Sequence, residues 1–205
     1  MGLGKFYGGG FVNKFIVIEG LDATGKSTLV RNLSIALDAH QLFCPPKINI
    51  PSIREGSARS HFDSLNPLQR RAYYRFSNLV ASEEVRKMIP GNHVIMDRYW
   101  TSTAAFTAMD EGFEHDIALG EYPEEILKPD LLILLTVDEE NRLARLQGRG
   151  ETETKEESEL AASKSKREMV LQAYKAFNPV TIDTSNKTPD EVCQEALQII
   201  EGVLQ

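Results

Sequence analysis

The sequence predicts an α/β domain in which a mainly parallel sheet is flanked by helices. Short apolar runs alternate along the chain with longer segments of helical periodicity. The run at 130–137 is apolar enough for a strand that is covered on both faces. Because no repeat or second domain is evident, we expect one domain over 13–205 after a flexible glycine-rich lead-in over 1–12.

The elements follow in order from local signals. The first strand is predicted at 14–20, and three prolines favour irregular structure over 40–56. Asn66 is expected to cap a long helix, and Thr188 with Glu191 forms a capping box for the last one. The other predicted elements are strands at 93–97, 130–137 and 179–183 and helices at 66–89, 99–109, 138–150, 158–176 and 188–204.

The segment EGLDATGKS, at 19–27, has the spacing of a phosphate-binding loop. It follows a predicted strand and opens a predicted helix, which is the context that this motif requires. The fold class is therefore a three-layer P-loop NTPase domain. The predicted ATP-binding residues are Gly20, Ala23, Thr24, Gly25, Lys26, Ser27 and Thr28.

Two side chains are candidates for holding Mg²⁺. Ser27 follows the loop lysine, and Asp97 ends the second predicted strand. In phosphate-loop enzymes a loop hydroxyl and a strand-end carboxylate hold the metal, while Lys26 is expected to reach the β and γ phosphates.

Composition excludes several classes of protein. The net charge of −7 argues against nucleic acid as the main partner, and the two cysteines suggest neither a disulfide framework nor zinc. No run of 18 apolar residues indicates a membrane span. We expect a cytoplasmic protein, with a mitochondrial location as the alternative.

Among phosphate-loop proteins, a small kinase is favoured over a GTPase switch or an ATPase motor. The segment SNKTPD lacks the spacing of a base-reading N-K-x-D motif because Asp190 comes one residue too late. Arginine is concentrated instead at Arg98 and along one helical face, Arg142, Arg145 and Arg149. This face precedes a charged segment that we interpret as a closing lid at about 146–160, which would exclude water.

The segments FIVIEGLDATGKSTL, DRYWTSTAAF, LKPDLLILLTV and RLARLQGRG together resemble the thymidylate kinase family over about 13–205. RRAYY, NLVASE and LQGRGETETKEESEL resemble in particular its branch of mitochondrial UMP-CMP kinases.

The resemblance implies roles for the charged residues. It implies that Asp22 holds the sugar hydroxyl of the acceptor nucleotide, that Arg98 bridges the acceptor phosphate and the transferred group, and that Asp97 lies beside Mg²⁺. Arg145 and Arg149 are implied to approach the donor ATP. Some members carry an arginine in the loop where this chain has Ala23, so Arg145 and Arg149 are expected to supply the catalytic positive charge.

An acceptor site is expected on the helix at 66–89. Arg71, Tyr74, Arg75 and Asn78 share one helical face. The resemblance assigns base stacking to Tyr74 and places Asn78 where dTMP-specific members have an arginine. An amide offers both a donor and an acceptor, which favours a broader pyrimidine range.

Two further features of the acceptor site follow from the resemblance. Phe106 is expected to close the pocket near the sugar. The arginine that contacts acceptor phosphate elsewhere in the family is missing, and Lys47, Arg54 or Arg59 could replace it.

The resemblance therefore implies a Mg²⁺- and ATP-dependent kinase acting on dTMP, dUMP, dCMP, UMP or CMP, and a homodimer formed through helices near the acceptor site. A strict dTMP kinase and a catalytically weak nucleotide-binding module remain the alternatives.

Overall fold

The computed structural model of the chain describes residues 12–47, 58–110, 112–113, 115–148 and 155–204, with the backbone alone for 155–157. Within these residues five strands form one parallel sheet, confirming the predicted fold class. The strands are β1 (Phe15–Gly20), β2 (His40–Phe43), β3 (Val94–Asp97), β4 (Leu131–Thr136) and β5 (Val180–Asp183). The helices are α1 (Lys26–Ala36), α2 (Ala58–Asp63), α3 (Pro67–Met88), α4 (Trp100–Thr107), α5 (Glu139–Gln147), α6 (Lys155–Ala162), α7 (Lys164–Lys175) and α8 (Pro189–Leu204).

Strand β1 is buried along its whole length and separates two hydrophobic cores. Phe15 and Val17 belong to the core shared with α3 and α4, whereas Ile16 and Ile18 belong to the core shared with α1 and α8. This alternation places helices on both faces of the sheet and produces the three layers.

The sheet order β2-β3-β1-β4-β5 determines where a ligand can bind. The order of the strands reverses at β1, whose neighbours are β3 and β4. Ligands of such sheets bind beyond the carboxyl ends of the strands at this reversal. Gly20 ends β1 and Asp97 ends β3, so both lie at this edge of the sheet.

Three features differ from the sequence prediction. His40–Phe43 is a strand, although 40–56 was predicted to be irregular. Its backbone pairs with β3 at the sheet edge, where mostly exposed side chains need no apolar run. The helix predicted at 158–176 is two helices, because Ser163 leaves the helical conformation and its hydroxyl caps α7. The short helix α2 was not predicted.

The predicted caps are confirmed. Asn66 accepts a hydrogen bond from the Gln69 amide at 3.0 Å, and the hydroxyl of Thr188 accepts one from the Glu191 amide at 3.3 Å. No helix in the described part of the chain combines the length and apolarity that crossing a bilayer demands. The predicted lead-in lies almost entirely outside the described residues.

Candidate active site

The loop between β1 and α1 has the backbone shape of a phosphate cradle. A Cβ on Gly20 would lie 2.5 Å from the carbonyl oxygen of Leu135, so only glycine fits at this point. Gly25 has φ +97° and precedes the first residue of α1. The free N–H groups at the start of α1 therefore face the loop, which favours anion binding.

Lys26 is almost completely buried within this loop. Its ammonium group donates to the carbonyl oxygen of Leu21 at 2.8 Å and lies 3.8 Å from Asp22 Oδ1. Burial, together with the positive charge of Arg98, lowers the pKa of Lys26 to about 8. The loop thus holds a desolvated cation at the position expected to meet donor phosphate.

Ser27 and Asp97 lie together as the sequence predicts. The Ser27 hydroxyl donates to Asp97 Oδ2 at 2.7 Å, and both side chains line the cleft next to the loop. Hydroxyl and carboxylate oxygens are ligands that Mg²⁺ accepts together with substrate phosphates. The residues present therefore fit a magnesium ion held between protein and nucleotide.

Arg98 joins the loop to the neighbouring strand end. Its backbone has φ +64°, in the left-handed region that is uncommon for a residue with a side chain. The guanidinium lies 2.5 Å from Asp22 Oδ1 and donates to the Ser102 hydroxyl at 3.2 Å. Although burial favours the neutral form, Asp22 and Glu19 hold the pKa of Arg98 well above its ordinary value. Arg98 therefore stays charged.

Glu19 is a site-supporting residue that sequence reasoning missed. This fully buried carboxylate accepts hydrogen bonds from the backbone amides of Tyr99 and Ser102 and from the hydroxyls of Thr101 and Ser102. Burial raises its pKa, whereas the positive charge of Arg98 and the hydrogen bonds oppose that rise. Because the amides belong to the start of α4, Glu19 fixes the Arg98 turn against the loop. The sequence feature that could have indicated this residue is a carboxylate inside the otherwise apolar run FIVIEG.

A cavity next to the loop brings together four of the predicted substrate-binding residues. Its walls include Asp22 from the loop, Arg98 from the turn after β3, Tyr74 from α3 and Phe106 from α4. The Tyr74 hydroxyl donates to Asp63 at 2.8 Å, and the Phe106 ring centre lies 5.6 Å from the Arg98 guanidinium carbon. An aromatic cavity that is also lined by a cation suits a nucleoside monophosphate.

The three basic candidates for the acceptor phosphate occupy different environments. Arg59 lies on α2 and lines both the aromatic cavity and the cleft that contains Ser27 and Asp97, here called the phosphate cleft. Lys47 is exposed and is absent from the walls of both cavities within the described chain. Arg54 lies outside the described residues. The geometry favours Arg59.

Asn78 does not line the aromatic cavity, contrary to the simple helical-face argument. It is fully buried, and its amide nitrogen donates to the Tyr74 carbonyl and to the Thr103 hydroxyl, each at 2.7 Å. Its amide oxygen lies 3.5 Å from Cys44 Sγ. Because Thr103 itself lines the cavity, Asn78 supports the wall from behind.

A second cleft is lined by the loop and by residues of α1, α5 and the start of α8. Ala23, Thr24, Gly25, Thr28 and Arg145 are among its lining residues. This cleft therefore gathers most of the predicted ATP-binding residues, and none of its described lining residues lines the aromatic cavity.

Arg145 is anchored to the last strand end rather than left in solvent. Its guanidinium donates to the Thr184 hydroxyl at 2.9 Å and to the Thr184 carbonyl oxygen at 2.7 Å. Thr184, which sequence reasoning missed, also donates to the carbonyl oxygen of Thr24 at 3.1 Å. Its position after β5, at the carboxyl edge of the sheet, was the available signal.

Arg142, on the same predicted helical face, does not join Arg145 at Thr184. Arg142 is buried and pairs with Glu139 of its own helix at 2.8 Å. Arg149 and the residues 149–154 of the predicted lid lie outside the described residues.

The family model for thymidylate kinase matches residues 18–196. The chain belongs to the thymidylate kinase family. It carries the kinase domain of an ATP-dependent nucleoside monophosphate kinase of the thymidylate kinase and UMP-CMP kinase type.

Among curated thymidylate kinase relatives, the human mitochondrial UMP-CMP kinase 2 is 37% identical over 196 residues. The match covers 91% of this chain but 42% of that protein, so the chain spans less than half of its length. A probable thymidylate kinase of Methanocaldococcus jannaschii is 29% identical over 197 residues, with 93% and 97% coverage.

The solved structure of a thymidylate kinase from Candida albicans matches with a TM-score of 0.69 at 23% identity. The match covers 93% of this chain and 92% of that one, and it confirms the P-loop kinase fold.

Proposed function

We propose that this chain transfers the γ-phosphoryl group of ATP to pyrimidine nucleoside monophosphates: dTMP, dUMP, dCMP, UMP and CMP. The observation that carries the proposal is that the aromatic cavity and the phosphate cleft share Asp22, Arg59 and Arg98. A monophosphate seated in the cavity would present its phosphate to the cleft that Lys26 also lines. Positioning and charge are most of what phosphoryl transfer requires.

We propose different roles for the site residues in binding the donor and the acceptor. The loop amides and Lys26 would hold the donor phosphates, while Arg98 and Arg59 would hold the acceptor phosphate. Asp22 would bind the acceptor sugar, and Tyr74 and Phe106 would enclose its base. Arg145 and the proposed lid at 146–160 would cover the donor and exclude water.

Ser27 and Asp97 would hold Mg²⁺ beside the phosphates. When bound, this ion supplies positive charge that offsets the charge of the polyphosphate. Asp22 would not hold the ion, because its Oδ1 pairs with Arg98 and with Lys26.

The breadth of the acceptor range is part of the proposal. Asn78 stands where the dTMP-specific pattern has an arginine, and its buried amide offers no long cation to the cavity. A strict dTMP kinase is the second candidate, and it is supported by the names of relatives such as the one from M. jannaschii.

We also propose a homodimer. Leu68, Ala72, Phe76 and Leu79 form an apolar stripe on the outer face of α3. Leu68 is 63% exposed and Phe76 is 53% exposed, and their spacing makes the exposed apolar surface contiguous, which is typical of an interaction site. For the compartment, the cytoplasm remains the proposal, and the name of the human relative supports the mitochondrial alternative.

A coupled ADP-release assay with dTMP, dUMP, dCMP, UMP, CMP, AMP and GMP tests the proposed function. ADP release with several pyrimidine acceptors supports it, and release with dTMP alone supports the strict dTMP kinase. ATP binding without release for any acceptor would leave a nucleotide-binding module and would overturn the proposal.

A further inference from the structure

One wall of the aromatic cavity contains a buried cation without hydrogen-bond partners among the described residues. Arg71 lies on α3 three residues before Tyr74, lines the cavity and is 4% exposed. None of its three guanidinium nitrogens has a hydrogen-bond partner in the part of the chain that the structure describes. Since an unsatisfied buried charged donor is costly, this group points to a ligand that completes it.

The Arg71 guanidinium is nevertheless held in place. Its central carbon lies 3.2 Å from the centre of the Phe113 ring. Its Nη1 atom lies 3.5 Å from Asp110 Oδ2, and its Nε atom lies 3.8 Å from Asp116 Oδ2. These ion pairs and the ring contact orient the cation but leave its hydrogen-bond donors unused.

Asp110 adds an acceptor beside this donor. Its Oδ1 atom accepts a hydrogen bond from Arg70 Nη2 at 2.7 Å, which fixes the carboxylate. Its Oδ2 atom faces Arg71, and the residue lines the same cavity. The wall therefore presents a donor and an acceptor side by side in the cavity that Arg98 also lines.

Resting on the proposed function, we propose that Arg71 and Asp110 read the edge of the acceptor's pyrimidine base. The amino group of cytosine would donate a hydrogen bond to Asp110, and ring nitrogen N3 would accept one from Arg71. Uracil or thymine would donate its N3–H to Asp110 and accept from Arg71 at a carbonyl oxygen. One wall can thus accept both kinds of pyrimidine, a role that Asn78 cannot perform from behind Thr103.

The first test compares Arg71→Met with Arg86→Met. Arg86 is an arginine of the same helix that pairs with Glu83 at 2.6 Å on the surface. With the best pyrimidine acceptor of the wild type, Arg71→Met is expected to lower kcat/KM by roughly 10- to 150-fold, mainly through the acceptor KM, as expected for losing a hydrogen bond to a charged group. The KM for ATP should stay within about twofold. Arg86→Met is expected to match the wild type.

The second test leaves the protein unchanged and alters the nucleotide. A 3-deaza analogue replaces ring nitrogen N3 by C–H and removes the contact that either base makes there. The wild type should use this analogue with kcat/KM lower by at least roughly 10-fold, because a site built to hydrogen-bond a polar atom rejects a ligand that lacks it. In Arg71→Met the discrimination against 3-deaza-CMP should largely disappear.

The outcomes separate the two proposals. A wild type that phosphorylates no pyrimidine monophosphate defeats the proposed function and this inference with it. An active wild type whose Arg71→Met variant keeps the acceptor KM overturns the base-reading role alone. If the variant fails to fold in a thermal melt, equal use of the natural nucleotide and its 3-deaza analogue by the wild type overturns it.

Discussion

Asp22 and Arg98 form an ion pair between the phosphate loop and the turn after β3, with 2.5 Å between Asp22 Oδ1 and Arg98 Nη2. Both residues line the aromatic cavity and the phosphate cleft. The negative charge of Asp22 in this anion-binding loop is balanced by the positive charges of Arg98 and Lys26.

This arrangement predicts a specific defect for Asp22→Asn. We expect kcat/KM for the acceptor to fall about 10- to 100-fold, because the amide is a weaker partner than a carboxylate for the sugar hydroxyl. The wild type should discriminate against a 2′,3′-dideoxy acceptor, and the variant should lose most of that discrimination. Steady-state kinetics with both acceptors checks this, with Asp190→Asn on the surface as the control. Undiminished discrimination in Asp22→Asn would remove the sugar-binding role.

Substitutions of Arg145 and Arg149 are predicted to change different kinetic parameters. Arg145 donates to Thr184 and lines the second cleft, where we propose that ATP binds, so Arg145→Met is expected to raise the KM for ATP about 10-fold. Arg149→Ala is expected to lower kcat by roughly 10³-fold or more, as for other arginines that meet transition-state charge. Separate titrations of ATP and acceptor measure both parameters. Near-normal turnover in Arg149→Ala would contradict the proposal that Arg149 of the lid supplies catalytic positive charge.

The apolar stripe on α3 predicts the oligomeric state. Wild type should scatter light as a particle of twice the 23.0 kDa chain mass at micromolar concentration. Phe76→Glu should yield monomer, because a charge in the centre of an apolar contact is costly to desolvate. Leu143→Glu is the matched control, since Leu143 is 41% exposed on α5. A monomeric wild type contradicts the dimer.

His93 predicts how stability depends on pH. Its Nδ1 atom accepts a hydrogen bond from the Lys14 amide at 3.0 Å, and burial lowers its pKa from 6.5. The unfolded chain therefore binds more protons, so this contribution is complete above about pH 6.5 and is lost as the pH falls through the folded-state pKa. His93→Asn retains an acceptor that does not titrate. Urea unfolding at pH 7.5 and pH 5.5 should show a smaller loss for the variant, and equal losses would exclude this cause.

Much of the fold was predictable because its signals are local. The loop spacing, the caps at Asn66 and Thr188, and the apolar run of β4 depend on neighbouring residues or on burial from both sides. Strand β2 was missed because an edge strand needs no apolar run. Its identity comes from pairing with β3, which no local pattern records.

The position of a site residue was predictable where a sequence motif includes that residue. It was less predictable where side-chain packing determines the position. Lys26, Ser27 and Asp97 lie together as predicted. Asn78 shares a helical face with Tyr74, yet the Thr103 side chain covers it, so a helical periodicity argument could not place it. Arg71 is in the cavity because of contacts with Asp110 and Phe113, which are distant in sequence.

Following the labelled phosphoryl group from ATP to the acceptor tests directly whether the chain is a pyrimidine monophosphate kinase. The wild type is mixed with ATP labelled in its γ-phosphate, Mg²⁺ and either a pyrimidine or a purine monophosphate, and the products are separated. We predict that label enters the pyrimidine nucleoside diphosphates and that AMP and GMP remain unlabelled. Label found only in inorganic phosphate, or in ADP and GDP formed from AMP and GMP, would contradict a pyrimidine monophosphate kinase.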